Sequence, residues 1–167
     1  MPETSTADFT IFSGIITFYR LKLNDDGTIN SLLDKANGRD IVKPGTKFNE
    51  IKIFEDYPRE YDNWEINEYY KSKSWEFGKL VSMTPVFDGT RAGIKIVRKY
   101  LKSTLEQTIW LYSKLQRIDF ETEIDWHEHH QVLKVAFTVD VLANTATYET
   151  QFGHIERPTH KNTSWDE

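Results

Sequence analysis

Arg117-Ile118-Asp119-Phe120-Glu121-Thr122-Glu123-Ile124-Asp125-Trp126 decides the fold class. Ile118, Phe120, Thr122, Ile124 and Trp126 fall on one side of an extended chain; Arg117, Asp119, Glu121, Glu123 and Asp125 fall on the other. A helix would scatter both sets around its axis, whereas a strand separates them. After a polar break at His127 to His130 the alternation resumes, with Leu133, Val135, Phe137, Val139 and Val141 facing one way and Lys134, Ala136, Thr138 and Asp140 the other. Two such runs around a short break predict a β-hairpin with one wet face.

The pattern continues outward in both directions. Ile15, Thr17, Tyr19, Leu21 and Leu23 read as a strand, Asn24-Asp25-Asp26-Gly27 as a turn, and Thr28 to Leu33 as the returning strand. Asn37-Gly38 and Lys43-Pro44-Gly45 are further turn signals. Strands are also expected at Phe48 to Phe54, Leu80 to Val86, Gly93 to Leu101, Leu105 to Tyr112 and near Thr147 to Phe152. A three-four apolar spacing nowhere persists long enough for an amphipathic helix. These features predict an all-β, antiparallel β-sandwich forming a single domain over residues 1–167. Residues 1–8 read as a flexible N-terminus, and residues 153–167 as an extended C-terminal segment.

Composition narrows the function. The net charge of −5, with Lys and Arg dispersed along the chain, offers no basic face for a phosphate backbone, so no nucleic-acid partner is expected. Cysteine is absent, which excludes disulfides and thiolate metal sites and agrees with a reducing compartment. No run approaches the roughly 20 apolar residues of a membrane helix, so no membrane partner is expected either. The sequence reads as that of a soluble, cytoplasmic protein.

Chemistry-bearing clusters are few. His127-Glu128-His129-His130 offers imidazoles and a carboxylate, but zinc needs a third or fourth converging ligand, and polar residues at a chain reversal are ordinarily solvated. Asp119, Glu121, Glu123 and Asp125 have the chemistry of a glycosidase pair, yet they line one wet strand face. A Gly-rich phosphate loop, a Gly-x-Ser-x-Gly elbow and a Cys nucleophile are all missing. No catalytic and no metal-binding residue is therefore assigned. Tyr61-Asp62-Asn63-Trp64-Glu65-Ile66-Asn67-Glu68-Tyr69-Tyr70 differs: flat aromatic faces mixed with carboxylates and amides suit a pyranose ring. A loop pinned to the sandwich edge by its aromatics would have the same composition.

Four stretches carry a family resemblance. They are Asn24 to Lys35 (Asn-Asp-Asp-Gly-Thr-Ile-Asn-Ser-Leu-Leu-Asp-Lys) with Gly38-Arg39, and Phe54-Glu55-Asp56-x-Pro58 leading into Tyr61-Asp62-x-Trp64. The third runs from Arg117-Ile118-Asp119-Phe120 through Asp125-Trp126-His127-Glu128 to Leu133-Lys134-Val135-Ala136-Phe137. The fourth is Phe152-Gly153-His154-Ile155 with Arg157-Pro158-Thr159-His160-Lys161-Asn162-Thr163-Ser164-Trp165-Asp166. In this order they resemble the C-terminal β-sandwich region of glycoside hydrolase family 38 α-mannosidases, in the cytosolic and bacterial branch.

The resemblance implies a galactose-mutarotase-like supersandwich fold and a parent enzyme that is a retaining α-mannosidase. Its zinc and Asp nucleophile would lie on an N-terminal barrel and a helical segment outside this chain, so no cofactor is expected here. The implied partners are that barrel or other subunits, and a mannose-containing carbohydrate. The loop bearing Asp62, Trp64 and Tyr70 would wall the substrate cleft, with Arg157 and His160 behind it. Asn63, Glu65 and Asn67 depart from the family's Ala, Asp and Asp. Two other readings remain, a stand-alone carbohydrate-binding module and a purely structural sandwich. A mutarotase-like proton transfer by His154 or His160 would need a carboxylate facing it across a cleft. An accessory domain should expose an apolar patch where the rest of the enzyme docks.

Overall fold

The computed structural model describes residues 17–61, 64–66 and 68–161. The chain forms β1 (Tyr19–Leu23), β2 (Ile29–Asp34), β3 (Arg39–Asp40) and β4 (Phe48–Glu55), a 3-10 turn (Glu68–Ser72), and β5 (Ser74–Glu76). There follow β6 (Lys79–Phe87), β7 (Arg91–Tyr100), β8 (Ser103–Tyr112), β9 (Ile118–Asp125), β10 (Gln131–Phe137), β11 (Thr145–Thr150) and β12 (Gly153–Pro158). The order β1-β2-β4-β10 makes one sheet, with β3 added to β2 and β5 to β4. The meander β6-β7-β8-β9 makes the second, and β11-β12 a separate ribbon. All pairings are antiparallel.

The two large sheets bury one face each against the other. Leu21, Leu23, Ile29, Leu32, Val42 and Phe48 of the first meet Ala92, Ile94, Ile96, Ile109 and Leu111 of the second. Ile51, Ile53, Phe77 and Leu105 form a neighbouring cluster, flanked by Trp75, Tyr100, Trp126 and Leu133. Each fully buried aliphatic side chain contributes about 1.5–3 kcal/mol relative to exposure. The antiparallel β-sandwich predicted from alternation is therefore the observed architecture.

The turns follow from their residues. Gly27 sits at φ +75°, and Gly27 N–H donates to Asn24 O at 2.9 Å while Asn24 N–H donates to Thr28 O at 2.8 Å. Asp26 Oδ1 accepts from the Thr28 N–H at 2.9 Å. Gly38 and Gly45 also take positive φ at the two other predicted turns.

Several expectations are corrected. The runs around His127–His130 are both strands, β9 and β10, but they do not form a hairpin: β9 pairs with β8 and β10 with β4, in opposite sheets. Alternation fixes which face of a strand is apolar but not which strand lies beside it. The break carries the chain from one sheet to the other, and the His127 N–H donates to Ser103 Oγ at 2.9 Å as it leaves. The second run stops pairing with β4 at Phe137, after which Val139 makes an isolated bridge to Val42. The segment read as irregular from Gly153 includes strand β12, paired with β11. Strand β5 was not anticipated. Residues 1–8, the start of the first predicted strand at Ile15, and residues 162–167 lie outside the described residues.

Candidate functional site

The long connection from β4 to β5 holds the aromatic loop. Tyr57, Tyr61, Trp64 and Tyr69 are all exposed, Trp64 at 87%. Tyr61 takes φ +58°, and its carbonyl accepts from the Trp64 N–H at 2.7 Å and the Glu65 N–H at 3.0 Å. That tight turn lifts the Trp64 indole off the surface. Tyr70 does the opposite. Its ring packs edge-on against Phe54 with centroids 5.1 Å apart, and its hydroxyl accepts from Lys134 Nζ at 2.6 Å. The same ammonium lies 3.9 Å from the Tyr70 ring centroid. Tyr57 stacks on His130 at 4.6 Å and 16°.

The loop thus combines both roles that its composition allowed. Tyr70 and Tyr57 pin it to β4 and to the start of β10, while Trp64, Tyr61 and Tyr69 face outward. Where it leaves the sheet, Asp56 Oδ1 and Gln131 Oε1 are buried acceptors without a hydrogen-bond partner. The Asp56 N–H donates to His130 O at 2.9 Å. Sequence reasoning missed Lys134, His130 and Gln131, because the contact of β10 with this loop follows from sheet pairing and has no local signal.

Of the sequence-predicted site residues, Asp62 lies outside the described residues. Trp64 and Tyr70 share the loop, the first exposed and the second anchoring. Arg157 and His160 belong to the end of the β11-β12 ribbon, and both are exposed. No described hydrogen bond, ion pair or ring contact joins either of them to Trp64 or Tyr70. His154 stands opposite Glu149 on the exposed ribbon, not across a cleft.

The other titratable clusters are engaged in structure. Asp119 Oδ2 accepts from the Tyr112 hydroxyl at 2.5 Å and Asp119 Oδ1 from Arg117 Nε at 2.5 Å, which together hold its carboxyl below the usual range. Glu121 Oε2 accepts from Trp110 Nε1 at 2.9 Å. Arg91 lies over the Trp110 ring, 4.0 Å from its centroid. The acidic row is a bonded, flat sheet face. In the His cluster, His127 Nε2 lies 2.8 Å from Asp125 Oδ1. Glu128 Oε1 accepts from the Lys102 N–H and the Ser103 hydroxyl, both at 2.9 Å. Among the described residues no three His, Asp or Glu side chains converge as a metal site requires, so the zinc implied by the family resemblance has no fitting ligand set here.

A polar recess between the sheets is lined by Asp26, Thr28, Lys47, Glu76 and Arg98. Lys47 Nζ bridges Asp26 at 2.8 Å and Glu76 at 2.9 Å, and Arg98 donates to the Asp26 carbonyl. Burial pushes the Asp26 pKa up, but hydrogen bonds from Lys47 and Thr28 outweigh it and hold the group below its ordinary value. Hydrogen bonds to Asp26 and Glu76 raise Lys47. The recess is an ionic clasp on the turn at Gly27.

Comparison with known proteins accords with this geometry. Residues 17–167 match the model of the glycosyl hydrolases family 38 C-terminal domain. The chain is 36% identical over 170 residues to alpha-mannosidase 2C1 of Homo sapiens, covering 98% of this chain and 16% of the relative. It is 36% identical over 159 residues to alpha-mannosidase G of Dictyostelium discoideum, covering 89% of this chain and 14% of that one. It therefore spans about one sixth of the length of these relatives. The crystal structure of an alpha-mannosidase from Enterococcus faecalis V583 superposes with a TM-score of 0.69 at 14% identity, over 100% of this chain and 21% of that one, so the fold is shared. No helix among the described residues is long and apolar enough to cross a membrane. The chain belongs to glycosyl hydrolase family 38, in the part described as its C-terminal domain.

Proposed function

We propose that this chain is the non-catalytic β-sandwich portion of a cytoplasmic, retaining α-mannosidase. In this reading the zinc and the nucleophile sit on a catalytic barrel elsewhere in the enzyme, and the sandwich contributes the loop of Tyr57 to Tyr70 to the wall of a mannoside cleft. The family match over residues 17–167, at one sixth of the relatives' length, carries the assignment. The loop reading is supported by Trp64, an indole presented with its faces open beside two exposed phenols. Aromatic faces of this kind cover the C–H side of a pyranose, and nearby polar groups orient its hydroxyls.

The same exposed aromatics favour, as a second reading, a carbohydrate-binding module that works without an attached barrel. One experiment separates the two. The chain is exchanged for its counterpart in the human relative, and hydrolysis of an aryl α-mannoside is followed. Retained hydrolysis with a raised KM for Trp64→Ala supports the accessory role. An exchange that abolishes hydrolysis, together with mannose binding by the isolated chain, favours the module.

A further inference from the structure

The apolar alternation of β9 and β10 is not fully buried. Val135 stands opposite Ile51 in the β10-β4 ladder and Ile124 opposite Leu105 in the β9-β8 ladder, so each faces the interior beside its partner. Ile51 and Leu105 are 7% and 1% exposed, but Val135 and Ile124 are 48% and 40% exposed. Phe137, Val139, Val141 and Leu142 prolong the exposed stripe. β9 and β10 end their sheets on this side, with no strand beyond either among the described residues. An edge position alone does not account for this, because the edge strand β1 buries Leu21 and Leu23. On this side the sandwich core lies open to water.

We propose that this open side is a docking surface completed by further β-strands of the same enzyme's polypeptide. They would extend the sheets at β9 or β10, with alternate apolar side chains directed into the core and cations directed along the outer acidic row. The proposal rests on the reading that the chain is one part of a longer family 38 enzyme. Three observations favour this occupant. Exposed edges offer unpaired N–H and C=O groups that an added strand satisfies. Asp119, Glu121, Glu123 and Asp125 run along the outer face of β9, and cross-strand pairs favour opposite charge beside them. A second copy pairing β9 to β9 about a two-fold axis would set two such acidic rows side by side, which like-charge repulsion opposes. Relatives covering about six times this length supply ample further chain.

Cysteine labelling tests the surface, since the chain has no cysteine of its own. Val135→Cys and the loop control Leu115→Cys are labelled in the isolated chain and in the exchange enzyme built on the human relative, with mass spectrometry resolving the site. The expected result is rapid labelling at both positions in isolation and labelling at position 135 slowed at least about tenfold in the active exchange enzyme, with position 115 unchanged. Equal labelling at position 135 in an exchange enzyme that still hydrolyses mannoside overturns the docking surface and leaves the family reading standing. Concentration-dependent protection of position 135 in the isolated chain assigns the surface to a second copy and overturns the proposed occupant. An exchange enzyme that assembles without activity, with position 135 labelled freely, overturns the accessory reading and the proposal with it.

Discussion

Asn49 Nδ2 donates a hydrogen bond of 2.6 Å to Gln107 Oε1, joining β4 to β8 through the interior of the sandwich. Gln107 Nε2 passes the link on to Thr122 Oγ1 of β9 at 2.9 Å. Asn49 takes φ +57° where the β4-β10 register shifts, and this places its side chain in the core. Gln107→Leu leaves the Asn49 amide without a partner and should cost about 1–3 kcal/mol. Asn49→Gly preserves the positive φ but orphans Gln107, and the double variant should cost less than the sum of the two. Urea unfolding of the four proteins measures both.

Gly78 lies at φ +45°, and a Cβ there would overlap the Lys99 carbonyl oxygen. Gly38, at φ +62°, has open space around it. Gly38→Ala should therefore cost only the positive-φ penalty of about 1 kcal/mol, and Gly78→Ala distinctly more because backbone must also move. Thermal unfolding of the two variants should rank them in that order.

Acid should unfold the protein through specific carboxylates. Burial raises the pKa of Asp40, but hydrogen bonds from Ser31 Oγ and the Leu32 and Val42 N–H groups, the last two at 3.0 Å, outweigh it and lower the group overall. Asp26 is lowered in the same way. A carboxyl lowered in the folded state binds its proton more readily when unfolded, so its stabilisation is complete above the unfolded pKa of 3.8 and is lost as pH falls through the folded value. Urea midpoints should hold steady down to about pH 5 and fall below about pH 4, with a shallower acid limb in Asp40→Asn.

Trp64 is exposed enough that Trp64→Ala should change stability by no more than about 0.5 kcal/mol. The same substitution should weaken any mannoside contact that the loop makes. Tyr70→Phe removes the Lys134 hydrogen bond and should loosen the loop, seen as faster proteolysis between Tyr57 and Tyr69. Calorimetric titration with α-methyl mannoside and limited proteolysis distinguish these two roles.

Local chemistry carried most of what was legible in the sequence. The alternation of Ile118 to Trp126 and the Asn24 to Gly27 turn specify strands and a reversal through short-range sterics and periodicity. Pairing was less legible: β9 and β10 look like a hairpin because each has one wet face, yet their neighbours lie 15 or more positions away and leave no mark on the segment itself. β12 went unread because its Gly, His, Arg and Pro residues lack an apolar stripe. At the loop, Trp64 was visible as an aromatic among polar residues. The division of labour with Tyr70 depends on Lys134, which only the sheet pairing brings within reach.

The most direct measurement is hydrolysis of an aryl α-mannoside by the purified 167-residue chain with zinc supplied. The account predicts no release above the uncatalysed rate, because the bond-breaking groups belong to other polypeptide. Turnover that tracks the folded chain and disappears when Asp119 or Glu121 is changed to the amide would contradict it.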